Sequence, residues 1–418
     1  MTSPELTAAA VEAAAEELRP VVRPTALEAS ERLGDVLGAP VMLKREDQQI
    51  TRSYKVRGAF HLIRGLEPAE RARGVVCASA GNHGQGLAWS CAELGIEGRV
   101  YVPGSTPRQK RQRILALGRG RVELVVAGST YDEASTAAHA DADRTGAVYV
   151  HPFDDPRTIV GQGTVAAELL AQSAAAPHTV VVPVGGGGLI AGMALLLRAH
   201  SPGTRIIGVE PEGAASMSAA LAAGAPTRLP STDSFVDGAS VGLVGSHTFP
   251  LVRDLVDEVI SVPEGAVCTE MLGLYQVEGI IAEPAGALAS TAVRRLAGTV
   301  PADRSLVCVV SGGNNDVSRY AEIVERSLLH EGLRHYFLVT FPQEPGALRH
   351  FLDDVLTDSD DIVVFEYVKK NNRETGPALV GVELERAEDL AGLLDRMERS
   401  PLGIERVPPG SPLFGFLV

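Results

Sequence analysis

The chain has 418 residues, 45% hydrophobic and 22% charged, with a formal net charge of −14. That length suits two or three domains around a large core, and the acidity argues against nucleic acid or an anionic membrane as a partner.

The segment Met1 to Pro20 is Ala- and Glu-rich with no basic leader, so neither a signal nor a transit peptide is expected. Cys77, Cys91, Cys268 and Cys308 are scattered without a C-x-x-C pair. They read as reduced, buried cysteines of a cytoplasmic protein. Strands are expected at Val75–Ala78, Gly98–Val102, Val122–Val126, Ala147–His151, Val180–Val184, Arg205–Val209, Glu258–Val262 and Leu306–Val310. Helices are expected at Gly84–Leu94, Arg108–Ala116, Tyr131–Thr145, Gly161–Gln172, Leu189–Ala199, Ala266–Glu278 and Gly286–Leu296. This alternation predicts an α/β protein with doubly wound, mostly parallel sheet, either in one piece or as two sheets around a cleft. The apolar stretch Thr179 to Leu197 is long enough to raise a membrane span, but Pro183 and four glycines split it into a strand and a helix. Burial in a parallel sheet explains it better.

The pattern changes near Glu331. His335–Phe341, Ile362–Lys369 and Ala378–Leu384 read as strands, Pro345–Val355 and Ala387–Arg399 as helices, with a polar turn at Asn371–Gly376 and a short strand around Ile404. The order βαββαβ is that of a small α+β sandwich. It carries no obvious catalytic cluster and reads as an oligomerisation module, an effector sensor, or both.

Three strand ends run into polar or glycine-rich loops. The run Val180 to Val184 stops at Gly185, Gly186, Gly187 and Gly188, and a helix-forming stretch beginning at Leu189 follows. Four glycines cost conformational entropy, so the loop is expected to need close backbone approach to an anion such as a phosphate; a tight turn without a ligand is the competing reading. Leu189 and Ile190 stand where a P-loop needs Lys-Ser/Thr. Glu210 lies near the distance at which a dinucleotide site wants an acid, so this segment alone leaves NAD open. Ser79-Ala80-Gly81-Asn82-His83-Gly84-Gln85-Gly86 follows the strand Val75–Ala78. Its N–H groups, Ser79, Asn82 and His83 suit a carboxylate, although Asn82 also reads as a turn residue and His83 better as a structural cap than as a base. Ser311-Gly312-Gly313-Asn314-Asn315 follows Leu306–Val310. Ligands of open α/β sheets bind beyond the carboxyl ends of the strands, so three such loops point to one crevice.

Lys55, in Thr51-Arg52-Ser53-Tyr54-Lys55-Val56-Arg57, reads on its own as a solvated charge at a helix start. A phosphate-bearing carbonyl cofactor changes that reading. An amine that forms a Schiff base must shed its proton, and burial near the cations Arg52 and Arg57 would assist.

Together, Ser53-Tyr54-Lys55-Val56-Arg57-Gly58-Ala59, the Ser79–Gly86 loop, Gly185 to Leu189 and Ser311-Gly312-Gly313-Asn314 stand in the order and spacing of threonine dehydratases. The chain resembles these pyridoxal-phosphate enzymes of the tryptophan-synthase-β-like fold from about Leu18 to its end. The resemblance implies two doubly wound sheets around a cofactor cleft within 1–330, with a smaller lobe at roughly 46–150 nested in it. Lys55 would hold pyridoxal 5'-phosphate covalently and then move the α-proton. Asn82 would bond the ring's 3-hydroxyl, Gly185, Gly186, Gly187, Gly188 and Leu189 the phosphate, and Ser311 the ring nitrogen. Ser79, Ala80, Gly81 and His83 would line the substrate-carboxylate site. A neutral Ser311 partner favours prompt β-elimination over transamination. Serine racemases carry a second serine where Ala80 stands, and Ser216 replaces an acidic residue of their metal cluster, so dehydration without a metal is implied.

Phe341-Pro342-Gln343-Glu344-Pro345-Gly346-Ala347-Leu348 and Tyr367-Val368-Lys369-Lys370-Asn371-Asn372 resemble the ACT-like regulatory domain of biosynthetic threonine dehydratases. The single copy would occupy 335–409. The implied function is deamination of L-threonine, and of L-serine to an undetermined degree, with isoleucine or valine as effector and a homotetramer as the assembly. A catabolic serine/threonine dehydratase is the alternative enzyme. A silent amino-acid-binding regulator is the alternative from another class.

Overall fold

The computed structural model describes residues 5–369, 373–408, 411, 413 and 414. The chain divides into two compact units, 1–316 and 317–418.

The first unit is built on two sheets. The larger has the strand order Leu27–Ser30, Val41–Arg45, Leu306–Val310, Thr179–Pro183, Arg205–Pro211, Glu258–Val262. Only the first of these pairs antiparallel to its neighbour. Thr179–Pro183 and Leu306–Val310 are buried at every position, as strands covered on both faces must be. Val180, Val182, Val307 and Val309 pack with Pro156–Gln172 and Gly188–His200. On the opposite face Cys308 Sγ donates to the Ala289 carbonyl of the helix Pro284–Thr291. The smaller sheet, entirely parallel, has the order Val122–Val126, Gly98–Val102, Val75–Ala78, Val148–Tyr149. Its sequence falls between Val41–Arg45 and Thr179–Pro183 of the larger sheet. The two-sheet arrangement is the one expected from the resemblance.

Most helix boundaries have local causes. Thr130 and Glu133 form a capping box at the start of Tyr131–Thr145, and Gly146 ends it in the left-handed region. Asp155 caps Pro156–Gln172, with Pro156 in the first turn where no N–H is needed.

Several elements differ from expectation. The strand at Ala147–His151 is only Val148–Tyr149, because beyond Val150 the chain leaves the sheet edge through Pro152. The helix at Gly286–Leu296 is α-helical over Pro284–Thr291 and then tightens to a 3-10 turn, Ala292–Leu296. Sequence reading placed no element before Lys55, yet the helices Ala8–Leu18 and Glu31–Leu37 and the strands Leu27–Ser30 and Val41–Arg45 lie there.

The second unit has a four-stranded antiparallel sheet ordered Asp360–Tyr367, Thr375–Leu384, Arg334–Pro342, Gly403–Arg406. Ala347–Val355 and Leu390–Arg399 pack on it through Phe351, Val355, Leu393 and Met397, against Phe337, Val339, Val380 and Val382. The first of these helices starts at Ala347, not Pro345, because Gly346 is left-handed with φ 96°. The second is preceded by a 3-10 turn, Ala387–Asp389. The expected turn Asn371–Gly376 ends earlier, since Gly376 pairs with Phe341; Lys370, Asn371 and Asn372 lie outside the described residues, as does Pro409. The helix Tyr320–His330 also belongs to this unit, where Glu325 accepts from the Tyr336 hydroxyl at 2.8 Å.

Among the described residues no helix is long and apolar enough to cross a membrane. All four cysteines are buried, and none forms a disulfide among the described residues.

Candidate active site

Lys55 opens the helix Lys55–Arg64 and is half-buried. Its Nζ donates to the Pro152 carbonyl at 3.0 Å and lies 5.2 Å from the Tyr54 ring centroid. Among the described residues no carboxylate pairs with it, so the amine keeps its reach for a carbonyl carbon. Of the two cations next to it in sequence, Arg57 is spent elsewhere. Arg57 is fully buried between Glu46 at 2.8 Å and Glu168 at 2.7 Å. Arg52 is exposed, in the left-handed region with φ 57°. The expected assistance from Arg57 is therefore absent; instead its ion pairs hold the Lys55 helix against Glu46 and the helix Pro156–Gln172. Lys44, buried beside them, donates to Glu168 at 2.8 Å and to the Thr25 carbonyl at 2.9 Å.

Gly185 to Leu189 lie beyond the buried end of Thr179–Pro183, and Gly188 opens the helix Gly188–His200. None of the five N–H groups from Gly185 to Leu189 donates to a backbone or side-chain acceptor among the described residues. Gly187 is left-handed with φ 87°, which turns successive N–H groups toward one side. A Cβ at Gly186 would overlap the Phe153 ring, and one at Gly187 would meet Met217 and Thr248. The Thr248 hydroxyl donates to the Gly186 carbonyl at 2.7 Å. Asp154 accepts from the N–H groups of Ser246 and His247, each at 2.8 Å. The loop is thus a fixed cup of free donors at a helix N-terminus, and it fits a phosphate.

The Ser79–Gly84 loop opens the helix Asn82–Leu94. The Ser79 Oγ accepts from the Gly81 N–H at 3.2 Å, while the N–H groups of Ala80, Asn82, His83 and Gly84 donate to no acceptor among the described residues. His83 is buried, with Nε2 2.7 Å from the Val150 carbonyl. Burial, and then the Lys55 charge, push it down to about 3, so the ring is neutral and structural, and what it offers a carboxylate is its backbone N–H.

Asn82 Nδ2 donates to Glu283 Oε1 at 2.6 Å, and Asn82 Oδ1 accepts from Asn314 Nδ2 at 2.7 Å. Ser311, 3% exposed, donates through Oγ to the Ala285 carbonyl at 3.2 Å, and its own carbonyl accepts from the Tyr54 N–H. Ser53 bridges Gly312. Every candidate loop is therefore linked to the next: the glycines to Phe153, Pro152 to Lys55, Tyr54 to Ser311, and Gly312–Asn314 to Asn82.

Two groups of residues escaped the sequence reading. Glu283, 5% exposed, is the N-cap of Pro284–Thr291; burial, with Asp237 adding to it, pushes its carboxyl up to about 7. Its signal was an acid directly after the apolar run Ile280 to Ala282. The segment His151–Asp154 carries Pro152, Phe153 and Asp154 to the cup; its signal was Pro and Phe at the carboxyl end of a strand. Glu210, once open as a ribose ligand, instead accepts from Met217 N at 2.6 Å and Ser218 N at 2.9 Å, which caps the helix Ser216–Ala223. Among the described residues no cluster of His, Cys, Asp and Glu is placed to hold a metal ion.

The description "Pyridoxal-phosphate dependent enzyme" matches residues 18–312, and "C-terminal regulatory domain of Threonine dehydratase" matches residues 325–417. The chain is 56% identical over 419 residues to the L-threonine dehydratase biosynthetic IlvA of Mycobacterium tuberculosis, covering 99% of this chain and 96% of that protein. Among solved structures it is similar to the processed form of threonine deaminase isoform 2 from Solanum lycopersicum, with TM-score 0.73 and 35% identity over 78% of this chain and 96% of that one. It is also similar to maize serine racemase, with TM-score 0.70 and 32% identity over 78% and 98% of the two chains. With free donors for a phosphate, an amine that pairs with no carboxylate among the described residues and a buried serine linked in one site, the chain belongs to the pyridoxal-phosphate dependent enzyme family and carries a C-terminal regulatory domain of the threonine dehydratase type.

Proposed function

We propose that the protein is a biosynthetic L-threonine dehydratase, which converts L-threonine to 2-oxobutanoate and ammonia and opens isoleucine synthesis. The observation that carries the reading is the chain of contacts that links Lys55, the free N–H cup Gly185 to Leu189 and Ser311. Pyridoxal phosphate, when bound, supplies an electron sink for the carbanion at the substrate α-carbon.

The chain's own residues do the rest. The N–H groups from Gly185 to Leu189 hold the phosphate. Lys55 Nζ would hold the cofactor through its carbonyl carbon and, as an amine, would take the substrate α-proton. Asn82 would donate to the ring oxygen. Ser311 would partner the ring nitrogen as a neutral group, which would favour loss of the β-hydroxyl over a long-lived carbanion. The free N–H groups of Ala80, Asn82 and His83, at the positive end of the helix Asn82–Leu94, orient the substrate carboxylate with Ser79 and Gly81. Ala80 offers no second acid on the opposite face, so the α-carbon is not reprotonated there and racemisation is disfavoured.

The second unit binds the effector, isoleucine or valine, and the enzyme works in the cytoplasm as a homotetramer. Coupling requires the effector to bind two catalytic states with different affinity. The deciding measurement is kcat/KM for threonine and for serine on the purified holoenzyme, with and without isoleucine. Threonine should be preferred and isoleucine should inhibit. Equal use of serine with no response to isoleucine would point to a catabolic serine/threonine dehydratase.

A further inference from the structure

Asn82 is locked at both ends of its side-chain amide. The lock starts at the Thr51 carbonyl, which can only accept. Asn314 Nδ2 donates to it at 2.8 Å and to Asn82 Oδ1 at 2.7 Å. The Asn82 oxygen is thereby fixed toward Asn314, and its nitrogen must face Glu283, where Oε1 accepts at 2.6 Å. Glu283 is itself held, since its N–H donates to the Gly312 carbonyl at 3.1 Å. A Cβ at Gly312 would overlap its carboxylate, so the loop after Leu306–Val310 packs directly on it. The charged groups facing Glu283 from other elements are Asp237 and Lys110, and Lys110 Nζ lies 2.7 Å from Asp237 Oδ2.

Asn82 Nδ2 has two hydrogens, and Glu283 takes one. Resting on the cofactor reading above, we infer that Glu283 is a positioning residue: as an acceptor it holds the Asn82 amide so that Nδ2 keeps its second hydrogen for the cofactor's ring oxygen. The role needs an acceptor at the distance of Oε1 and needs no charge. A neutral glutamine satisfies it. An aspartate, one methylene shorter, does not.

The test uses the holoenzyme and its Glu283→Gln, Glu283→Asp and Glu283→Leu variants. The visible absorption of the bound cofactor is titrated with pH, and kcat and KM for threonine are measured alongside. Glu283→Gln should keep the parent midpoint. Glu283→Asp and Glu283→Leu should move it by about one unit, as the loss of one hydrogen bond to a titrating site does. In those two, kcat should fall about tenfold while KM changes by less than about threefold, because an interaction made in the reaction and not in binding is lost. If Glu283→Gln moves the midpoint as far as Glu283→Leu, charge is the agent and the inference fails. It also fails if none of the three moves it. Should Glu283→Leu not fold, the contrast between Gln and Asp still decides. A parent protein without a visible cofactor band would overturn the cofactor reading itself, a result separate from any difference among the variants.

Discussion

Two anion cups in this molecule share one plan, a buried parallel strand, a polar loop and a helix N-terminus, yet they are packed in opposite ways. At Gly185 to Leu189 the glycines are closed in: Phe153 covers Gly186 and Gly188, Met217 and Thr248 cover Gly187, and Ala239 abuts Gly185. At Ser79 to Gly81 the loop is half-exposed, and a Cβ at Gly81 would meet nothing within 4 Å. Free N–H groups make both cups attractive to anions; packing decides how long the anion stays. A cofactor that remains through every turnover suits the first, and a substrate that enters and leaves suits the second.

Substitutions can break this contrast at graded cost. Lys55→Ala, which leaves both cups intact, should lower 2-oxobutanoate formation by at least about a thousandfold, since a nucleophile and proton carrier are lost together. A variant that retains turnover would dissolve the scheme that joins the cups. Gly186→Ala forces a methyl into the Phe153 ring, an overpacking worth roughly 1–3 kcal/mol. Cofactor affinity, followed by dialysis and absorption, should drop by up to about a hundredfold. Unchanged retention would mean the closed cup is not the phosphate site.

Buried groups beside both cups add pH sensitivity to the fold. A carboxyl with a raised folded value still holds protons that the unfolded chain has released, so Glu283 weakens the fold as pH climbs from about 4.3 through about 7. Glu283→Gln removes this loss. Relative to the parent, its unfolding free energy in urea should rise by about 3 kcal/mol between about pH 4 and about pH 8. A constant difference across that range would show that Glu283 does not titrate there. His83 and His151 act with the opposite sign: burial holds them down to about 3 and about 4, so their contribution is lost as pH falls below about 6.5. The smallest change expected is for Gly81→Ala, where a methyl meets no protein atom within 4 Å and would intrude only on the proposed substrate space. KM for threonine should rise about tenfold with the cofactor fully retained, as one methyl in a pocket is worth about 1–3 kcal/mol. Cofactor loss in this variant would erase the distinction between the two cups.

The sequence made the loops legible because their composition is extreme: four glycines after a β-branched run allow few readings. It also made most strands legible, because those buried on both faces are short apolar runs. Val41–Arg45 escaped, although it lies inside the large sheet, because Lys44 and Arg45 read as surface charges. Lys44 is buried through distant partners, Glu168 and Gln172, and Arg45 through Asp47 two residues on together with the more distant Glu28. Glu283 was lost for the same reason. Nothing local separates an acid that caps a helix at the surface from one wedged between Asn82 and Gly312.

The place of Leu306–Val310 bears on how the protein is made. This strand is the last of its unit in the chain, yet it sits between Val41–Arg45 and Thr179–Pro183. Until a ribosome has delivered it, two apolar strand edges in the middle of the future sheet have no partner. Ser311 and the Gly312 carbonyl that receives Glu283 arrive only with it. The crevice therefore closes late, from segments far apart in sequence, which is the topology of slow folding and of exposure to wrong edge pairing. A nascent chain that stops short of this strand has its glycine loop but not the residues that link Lys55 and Asn82.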